Sequence, residues 1–205
     1  MTETRHSTQV DPVRSLDALA APLSGGADSA DPPPGAGFAE VFEAHFDYVW
    51  NSLRRLGVRE GDLEDLTHDV FFAVHRRFDR FDTKRPLRPW LFGFALRRAS
   101  DYRRLARNRF EVLESGNAPS DPVDSSADPL ERALVGESLR IARAALEALE
   151  LGRRAVFILH DLDEIAMPEV ARELEIPLNT AYSRLRLARG ELAATVRRLR
   201  NGGTP

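Results

Sequence analysis

Pro177 constrains this chain more than any other single residue. It stands between two short segments of helical period within Met167 to Arg189, MPEVARELEIPLNTAYSRLRLAR. Upstream of it, Val170, Ala171 and Leu174 fall three to four apart and form one apolar face. Proline lacks an amide donor and pushes the preceding Ile176 out of the helical region, so no single helix runs through both segments. Downstream, Ala181, Leu185 and Ala188 form a second inward face, with Leu187 beside them. Asn179 or Thr180 is placed to cap that second helix. The pattern predicts a helix-turn-helix. Its second helix turns Thr180, Tyr182, Ser183, Arg184 and Arg186 outward near its start. That N-terminal end is the one that enters a major groove.

A helical hairpin with a solvated basic face would show much of the same pattern, so the charge distribution decides between the two. From Asn179 to Arg200 the arginines at 184, 186, 189, 197, 198 and 200 stand against Glu191 alone, a net of plus five. From Asp161 to Glu175, by contrast, Asp161, Asp163, Glu164, Glu169, Glu173 and Glu175 stand against Arg172. An acidic approach to a basic reading helix suits one face for DNA and another for something else. The whole chain has a formal net charge of -3 over 205 residues, so these basic stretches are local.

Residues 1–37 read as a disordered tail rich in proline and glycine, too poor in apolar surface to offset its ordering entropy. Helical periodicity begins at Phe38 and carries Val41, Phe42, Val49, Trp50, Leu53 and Leu56 to a stop at Gly57. Asp62 is placed to cap a second helix with Leu63, Leu66, Val70, Ala73 and Val74 inward and Asp65, His68, Asp69 and His75 outward. His68 and His75 share a face without a third ligand nearby, so no metal site is expected. A polar, aromatic connection from Phe78 to Pro86 leads to a third helix, with Pro89 in its first turn. That helix turns basic. Between Arg97 and Arg109 the arginines at 97, 98, 103, 104, 107 and 109 face only Asp101, again plus five. Tyr102 lies inside this run and Trp90, Phe92 and Phe94 precede it. Aromatics beside a cationic stripe suit a single nucleic-acid strand, although Trp90, Leu91 and Phe94 also fit an ordinary core, which is the reading favoured for Trp90.

From 110 to 129 the sequence becomes an acidic linker without Lys or Arg, punctuated by glycine and proline. The expected fold class is therefore all-α: two small helical domains, 38–109 and 130–200, joined by a flexible acidic linker, the second containing the helix-turn-helix. The second domain should open with a helix from Leu130 to Leu149 and continue from Arg153 to Leu162. There is no cysteine, which excludes disulfides and thiolate chemistry. No apolar run reaches membrane-spanning length, and the start lacks the order of a signal peptide, so a soluble cytoplasmic protein without membrane insertion is expected. No phosphate loop, nucleophile motif or spaced acid-base pair is present, so neither an enzyme nor a cofactor is expected.

The order of parts resembles the extracytoplasmic-function sigma factors of bacterial RNA polymerase, within the sigma-70 family. The resemblance rests on Glu64-Asp65-Leu66, Val70-Phe71, Arg80-Phe81, Trp90-Leu91, Asp101-Tyr102, Glu169-Val170-Ala171, Ile176-Pro177, Thr180 and Ser183-Arg184. It implies that Asp65, Leu66, His68, Asp69 and Phe71 bind core polymerase. It implies that Thr83, Lys84, Arg85, Arg88 and Trp90, with Arg97, Arg98, Asp101, Tyr102 and Arg104, open and read the minus-ten strand. It implies that Asn179, Thr180, Tyr182, Ser183, Arg184 and Arg186 read the minus-thirty-five element. Core RNA polymerase and promoter DNA are the implied partners, with an anti-sigma factor as a further one. The chain departs from the family pattern at Glu150, where proline is common, at Ala166, where a serine cap is usual, and at Leu187, where a basic residue is common. A conventional helix-turn-helix regulator, and a degenerate sigma-like interaction protein that starts no transcription, remain the alternatives.

Overall fold

The computed structural model describes residues 37–110 and 129–202. The tail and the acidic linker fall almost wholly outside them. Among the described residues every regular element is helical: α1 (Phe38–Arg55), α2 (Leu63–His75), α3 (Leu87–Phe110), α4 (Pro129–Glu147), α5 (Leu151–Phe157), α6 (Met167–Glu173) and α7 (Leu178–Arg200). Short 3-10 turns precede α2 and follow it, at Glu60–Asp62 and Phe78–Arg80.

Helices α1, α2 and α3 pack on one another. Val49, Leu53, Leu63, Val70, Val74, Leu91 and Ala95 lie wholly inside this unit. A second core gathers α4 to α7 around Leu149, Val156, Phe157, Ile158, Val170, Ala181 and Leu192. Burying each large aliphatic or aromatic side chain contributes about 1.5–3 kcal/mol, which is what holds helices this short. Leu187 does not join its neighbours; at 37% exposure it lies on the outer side of α7.

The helix starts differ from what the sequence suggests. Asp62 occupies the cap position of α2 without bonding a backbone amide; its carboxylate instead accepts from the Tyr102 hydroxyl at 2.6 Å. The cap of α7 is Pro177, and Asn179 and Thr180 sit within the first turn. Proline's fixed φ already sets the chain direction there, so a side-chain cap is dispensable. Ala166 caps α6 without a side-chain bond, with proline following in the first turn. Glu150, by contrast, is a working cap. It accepts from the amides of Gly152 at 2.9 Å and Arg153 at 3.2 Å.

Between α6 and α7 the chain closes a Schellman turn, with Ile176 N donating to Ala171 O at 2.9 Å and Glu175 N to Arg172 O at 3.2 Å. Glu175 takes the left-handed position at φ 54, where glycine is usual. After α5 the chain widens into a π turn over Ile158–Leu162, closed by Asp163 N donating to Ile158 O at 2.9 Å.

The two helical units dock on each other. The π turn delivers Asp163 to α1, where its carboxylate accepts from Arg55 Nη1 at 2.8 Å and from the Tyr48 hydroxyl at 2.9 Å. Burial pushes the Asp163 carboxyl above its usual range despite Arg55 and Tyr48. Burial, followed by the Asp163 charge, pushes the Tyr48 phenol well up, so it stays a donor. Arg154 is wholly buried and donates to Leu56 O of the first unit at 2.9 Å and to Leu149 O of its own at 3.1 Å. Arg85 reaches both Glu169 and Glu173 of α6, each at 3.2 Å.

Removing one member of a buried pair leaves the other charge uncompensated, at about 3–5 kcal/mol. Asp163→Ala should therefore loosen the docking of the two units without reducing helicity. Small-angle scattering should show a larger radius of gyration than the parent. An unchanged radius together with an unchanged melting temperature would assign the docking to the apolar contacts alone.

Candidate nucleic-acid interface

Three surfaces carry the residues singled out in the sequence. The first is the outer face of α2. Asp65, His68 and Asp69 are exposed and Leu66 is half-buried. Phe71 is not on this face. It is 2% exposed and packs against Phe42 at 4.7 Å between ring centroids. The neighbouring Phe72 is the exposed aromatic, at 63%. The alternation follows from helical period, since one step of about 100° turns an inward position outward. His68 stacks on Phe42, and His75 meets the edge of Phe38. These rings, with Asp69 and Phe72, line an open groove of about 440 Å³. Among the described residues no three metal-ligating side chains gather.

The second surface belongs to α3 and the connection before it. Thr83 and Lys84 are exposed, and the Lys84 amide donates to Asp82 at 3.0 Å. Arg97 and Arg104 are exposed and Arg98 is half-buried. Arg104 pairs with Asp101 one turn back at 3.3 Å, an exposed contact of little weight. Arg97 approaches Glu175 at 3.5 Å, also in the open. Arg85 is more committed, held by Glu169 and Glu173, whose side chains are largely covered. Burial raises the Glu173 carboxyl in spite of Arg85 and Arg97. Arg88 lies over the Tyr48 ring at 5.5 Å. Tyr102 is tied to Asp62, and burial and that bond push its phenol up.

The sequence reading missed part of this surface. Arg76, Arg77 and Arg80, from the end of α2 and the turn after it, converge on Arg97, Arg98 and Phe72 around a groove of about 530 Å³. The guanidinium groups of Arg77 and Arg97 both lie over the Phe94 ring, at 5.9 and 5.8 Å. The signal was present as HRRFDRF, but only the packing of α2 on α3 brings those arginines to the basic end of α3. The groove thus combines several guanidinium groups with an exposed ring, which is the chemistry of phosphate tracking with base stacking.

The third surface is the start of α7. Asn179, Ser183 and Arg186 are exposed, Tyr182 stands out at 53%, and Thr180 and Arg184 are half-buried. Arg189 is drawn away by a two-pronged pair with Asp161, at 2.7 and 2.8 Å. Polar side chains, one aromatic and Arg186 therefore face outward from one helix end, with Arg184 half-buried beside them.

Comparison with known proteins decides the family. The model described as Sigma-70 region 2 matches residues 41–109, and that described as Sigma-70, region 4 matches residues 139–192. The chain belongs to the sigma-70 family of RNA polymerase sigma factors, in its extracytoplasmic-function group. It is 29% identical over 159 residues to the RNA polymerase sigma factor NccH of Alcaligenes xylosoxydans xylosoxydans, covering 77% of this chain and 85% of that one. It is 27% identical to the ECF RNA polymerase sigma-E factor of Escherichia coli, covering 64% and 72%. Among solved structures, the sigma factor RpoE bound to the anti-sigma factor NepR from Bartonella quintana shares the fold, with a TM-score of 0.62 at 19% identity over 78% of this chain and 96% of that one. CnrH in complex with the cytosolic domain of CnrY gives 0.52 at 28% identity over 90% and 96%. Within this family frame, the region 2 match spans α1 to α3, and the region 4 match runs from the second half of α4 through α5 and α6 into α7.

Trp90 is half-buried in region 2, tilted against Phe81 at 4.7 Å and edge-to-face with Phe94 at 4.9 Å. It therefore packs as a structural ring with one side open. Trp90→Ala should lower stability by about 3 kcal/mol, the low end for a large aromatic because the ring is only partly covered. The check is the thermal midpoint of the full chain. A variant as stable as the parent whose promoter complexes lose permanganate reactivity at the minus-ten thymines would assign the ring to the DNA strand.

Proposed function

We propose that this sigma factor starts transcription with three separate surfaces. The outer face of α2, with Asp65, Leu66, His68 and Asp69, docks on core RNA polymerase. The α3 surface, with Thr83, Lys84, Arg97, Arg98 and Arg104, takes the non-template minus-ten strand. The start of α7, with Asn179, Thr180, Tyr182, Ser183, Arg184 and Arg186, reads the minus-thirty-five duplex. The observation that carries this reading is the groove where Arg76, Arg77, Arg80, Arg97 and Arg98 meet Phe72. It offers an unstacked strand both charge and a ring, while the helix-turn-helix offers a duplex a separate polar end.

The match to region 2 over 41–109 leaves no room there for a sensing domain, so the conventional regulator falls away. The protein supplies binding and strand separation and carries out no chemistry of its own. Working with core polymerase places it in the cytoplasm, and no described helix is long and apolar enough to cross a membrane. An anti-sigma factor is a fitting further partner, since the similar RpoE structure is a complex with the anti-sigma factor NepR and that of CnrH a complex with the cytosolic domain of CnrY. Strand capture by Arg85 requires it to leave Glu169 and Glu173, so Arg85 is better placed to act once regions 2 and 4 have moved apart. Run-off transcription with core polymerase on a randomised promoter library separates an initiating factor from a degenerate one, which would yield no selected promoter.

Two variants test the surfaces. Asp65→Arg should abolish co-purification with core polymerase at unchanged helicity, because the exposed carboxylate sits in the middle of the proposed docking face. Undiminished binding would move that face elsewhere. Replacing Arg97, Arg98 and Arg104 together with Ala should spare core binding and duplex recognition yet block open-complex formation on linear promoter DNA. A premelted template should restore part of the activity. Full activity on linear duplex would reduce this basic run to a solvated helix end.

A further inference from the structure

The two arginines at the start of α7 are not equivalent. Arg186 is exposed, while Arg184 is half-buried and folds back over the first turn of α5. A Cβ on Gly152 would stand 3.0 Å from Arg184 Nη1, 3.3 Å from its Cζ and 3.3 Å from Glu150 Oε2. The guanidinium and the carboxylate therefore lie on the same side of a residue that has no side chain to separate them, unpaired but near enough for their charges to act on each other. The carboxylate is itself fixed, because Oε1 accepts from Gly152 N at 2.9 Å and Oε2 from Arg153 N at 3.2 Å. Although burial opposes it, those amides and the charges of Arg184 and Arg153 keep the Glu150 carboxyl below its usual range. It thus remains an anion facing Arg184.

We propose that Glu150, with Gly152 leaving the space, is the positioning and specificity-determining residue for Arg184 on the minus-thirty-five element. The inference rests on the reading of α7 as the recognition helix. A long arginine side chain left free acts as a mobile phosphate clamp, which carries no sequence information. Seated over Gly152 and drawn by the charge of a capped carboxylate, the guanidinium is held to one direction. That is what a bidentate contact to the O6 and N7 of a guanine requires. Glu150 touches no DNA in this scheme; it acts through Arg184.

The test is a double-mutant cycle read as base preference. Reconstituted holoenzyme is bound to a promoter library randomised at the minus-thirty-five element, and bound sequences are counted for the parent, Glu150→Gln, Arg184→Ala and the double variant. Glutamine keeps an oxygen for the amide cap and removes the charge. Asparagine, a strong capping residue, serves in its place if the glutamine variant melts early. The expected result is a guanine preference at one position that falls by about tenfold in Arg184→Ala and by a similar factor in Glu150→Gln, with the other positions unchanged. The double variant should be no worse than Arg184→Ala. An affinity loss spread over all positions and repeated in full on the Arg184→Ala background would make Glu150 a helix cap only, and would overturn the proposal. So would an unchanged preference in both Glu150 variants. If Arg184→Ala itself leaves every preference intact, the recognition role of Arg184 falls, and the role of Glu150 falls with it.

Discussion

A guanidinium buried between two helix C-termini is the joint on which this arrangement turns. Arg154 donates to Leu56 O just past the end of α1 and to Glu147 O and Leu149 O at the end of α4. The last carbonyls of a helix have no partner of their own and gather partial negative charge, so a cation set between two such ends satisfies both at once. Taking that cation out of water costs several kcal/mol, which is repaid only where its hydrogen bonds are made. Burial, with a push from Arg103, brings the Arg154 guanidinium down to about 10, so it is still charged at neutral pH. The fit demands Gly57. That residue turns α1 off at φ +95, and a Cβ there would lie 2.7 Å from Arg154 Nη1. One glycine thus both ends a helix of region 2 and admits a side chain of region 4.

From that joint the charges sort themselves. Once regions 2 and 4 are docked, the carboxylates of α6 and of the turn after it face the arginines of α3 and of the connection before it. These pairs differ in weight. Arg97 and Glu175 are open to water and contribute little, whereas Arg85 meets two largely covered carboxylates. A nucleic-acid strand offers the same anionic chemistry at higher density, and releases counterions as it binds. The surface that α6 covers and the surface proposed for a strand therefore overlap at Arg85 but not at Arg76 or Arg98, which line the open groove between α2 and α3.

The helices themselves were legible because apolar spacing and helix breakers are local signals. Pro177 and Gly57 mark real ends, and the inward sets of α2 and α7 fall where periodicity puts them, apart from Leu187. What was not legible depends on partners distant in sequence. Asp62 looks like a cap, but Tyr102, forty residues on, takes its carboxylate. Phe71 looks like a docking residue, but the rings of α1 enclose it and leave Phe72 outside. Arg80 reads as part of a polar connection, and Arg76 and Arg77 as nothing in particular, until α3 stands beside them. Arg154, in an otherwise apolar stretch, gave no sign of reaching into the other unit.

The helix-turn-helix also shows where local rules give way. Ala166 forgoes a cap that would be worth about 1 kcal/mol, and Glu175 holds a left-handed conformation that costs an ordinary residue a similar amount, about 1–2 kcal/mol. Both lapses lie on the acidic side of the motif, which packs on region 2 and draws support from it through Glu169 and Glu173. On the other side of the motif, the neighbouring α5 keeps its local order: Glu150 caps it, and Arg184 lies over its first turn at Gly152. A helix end supported by tertiary packing tolerates a poor cap, because docking supplies the missing free energy. The start of α5, whose cap Glu150 is exposed, draws less on such support, so there the geometry is built locally.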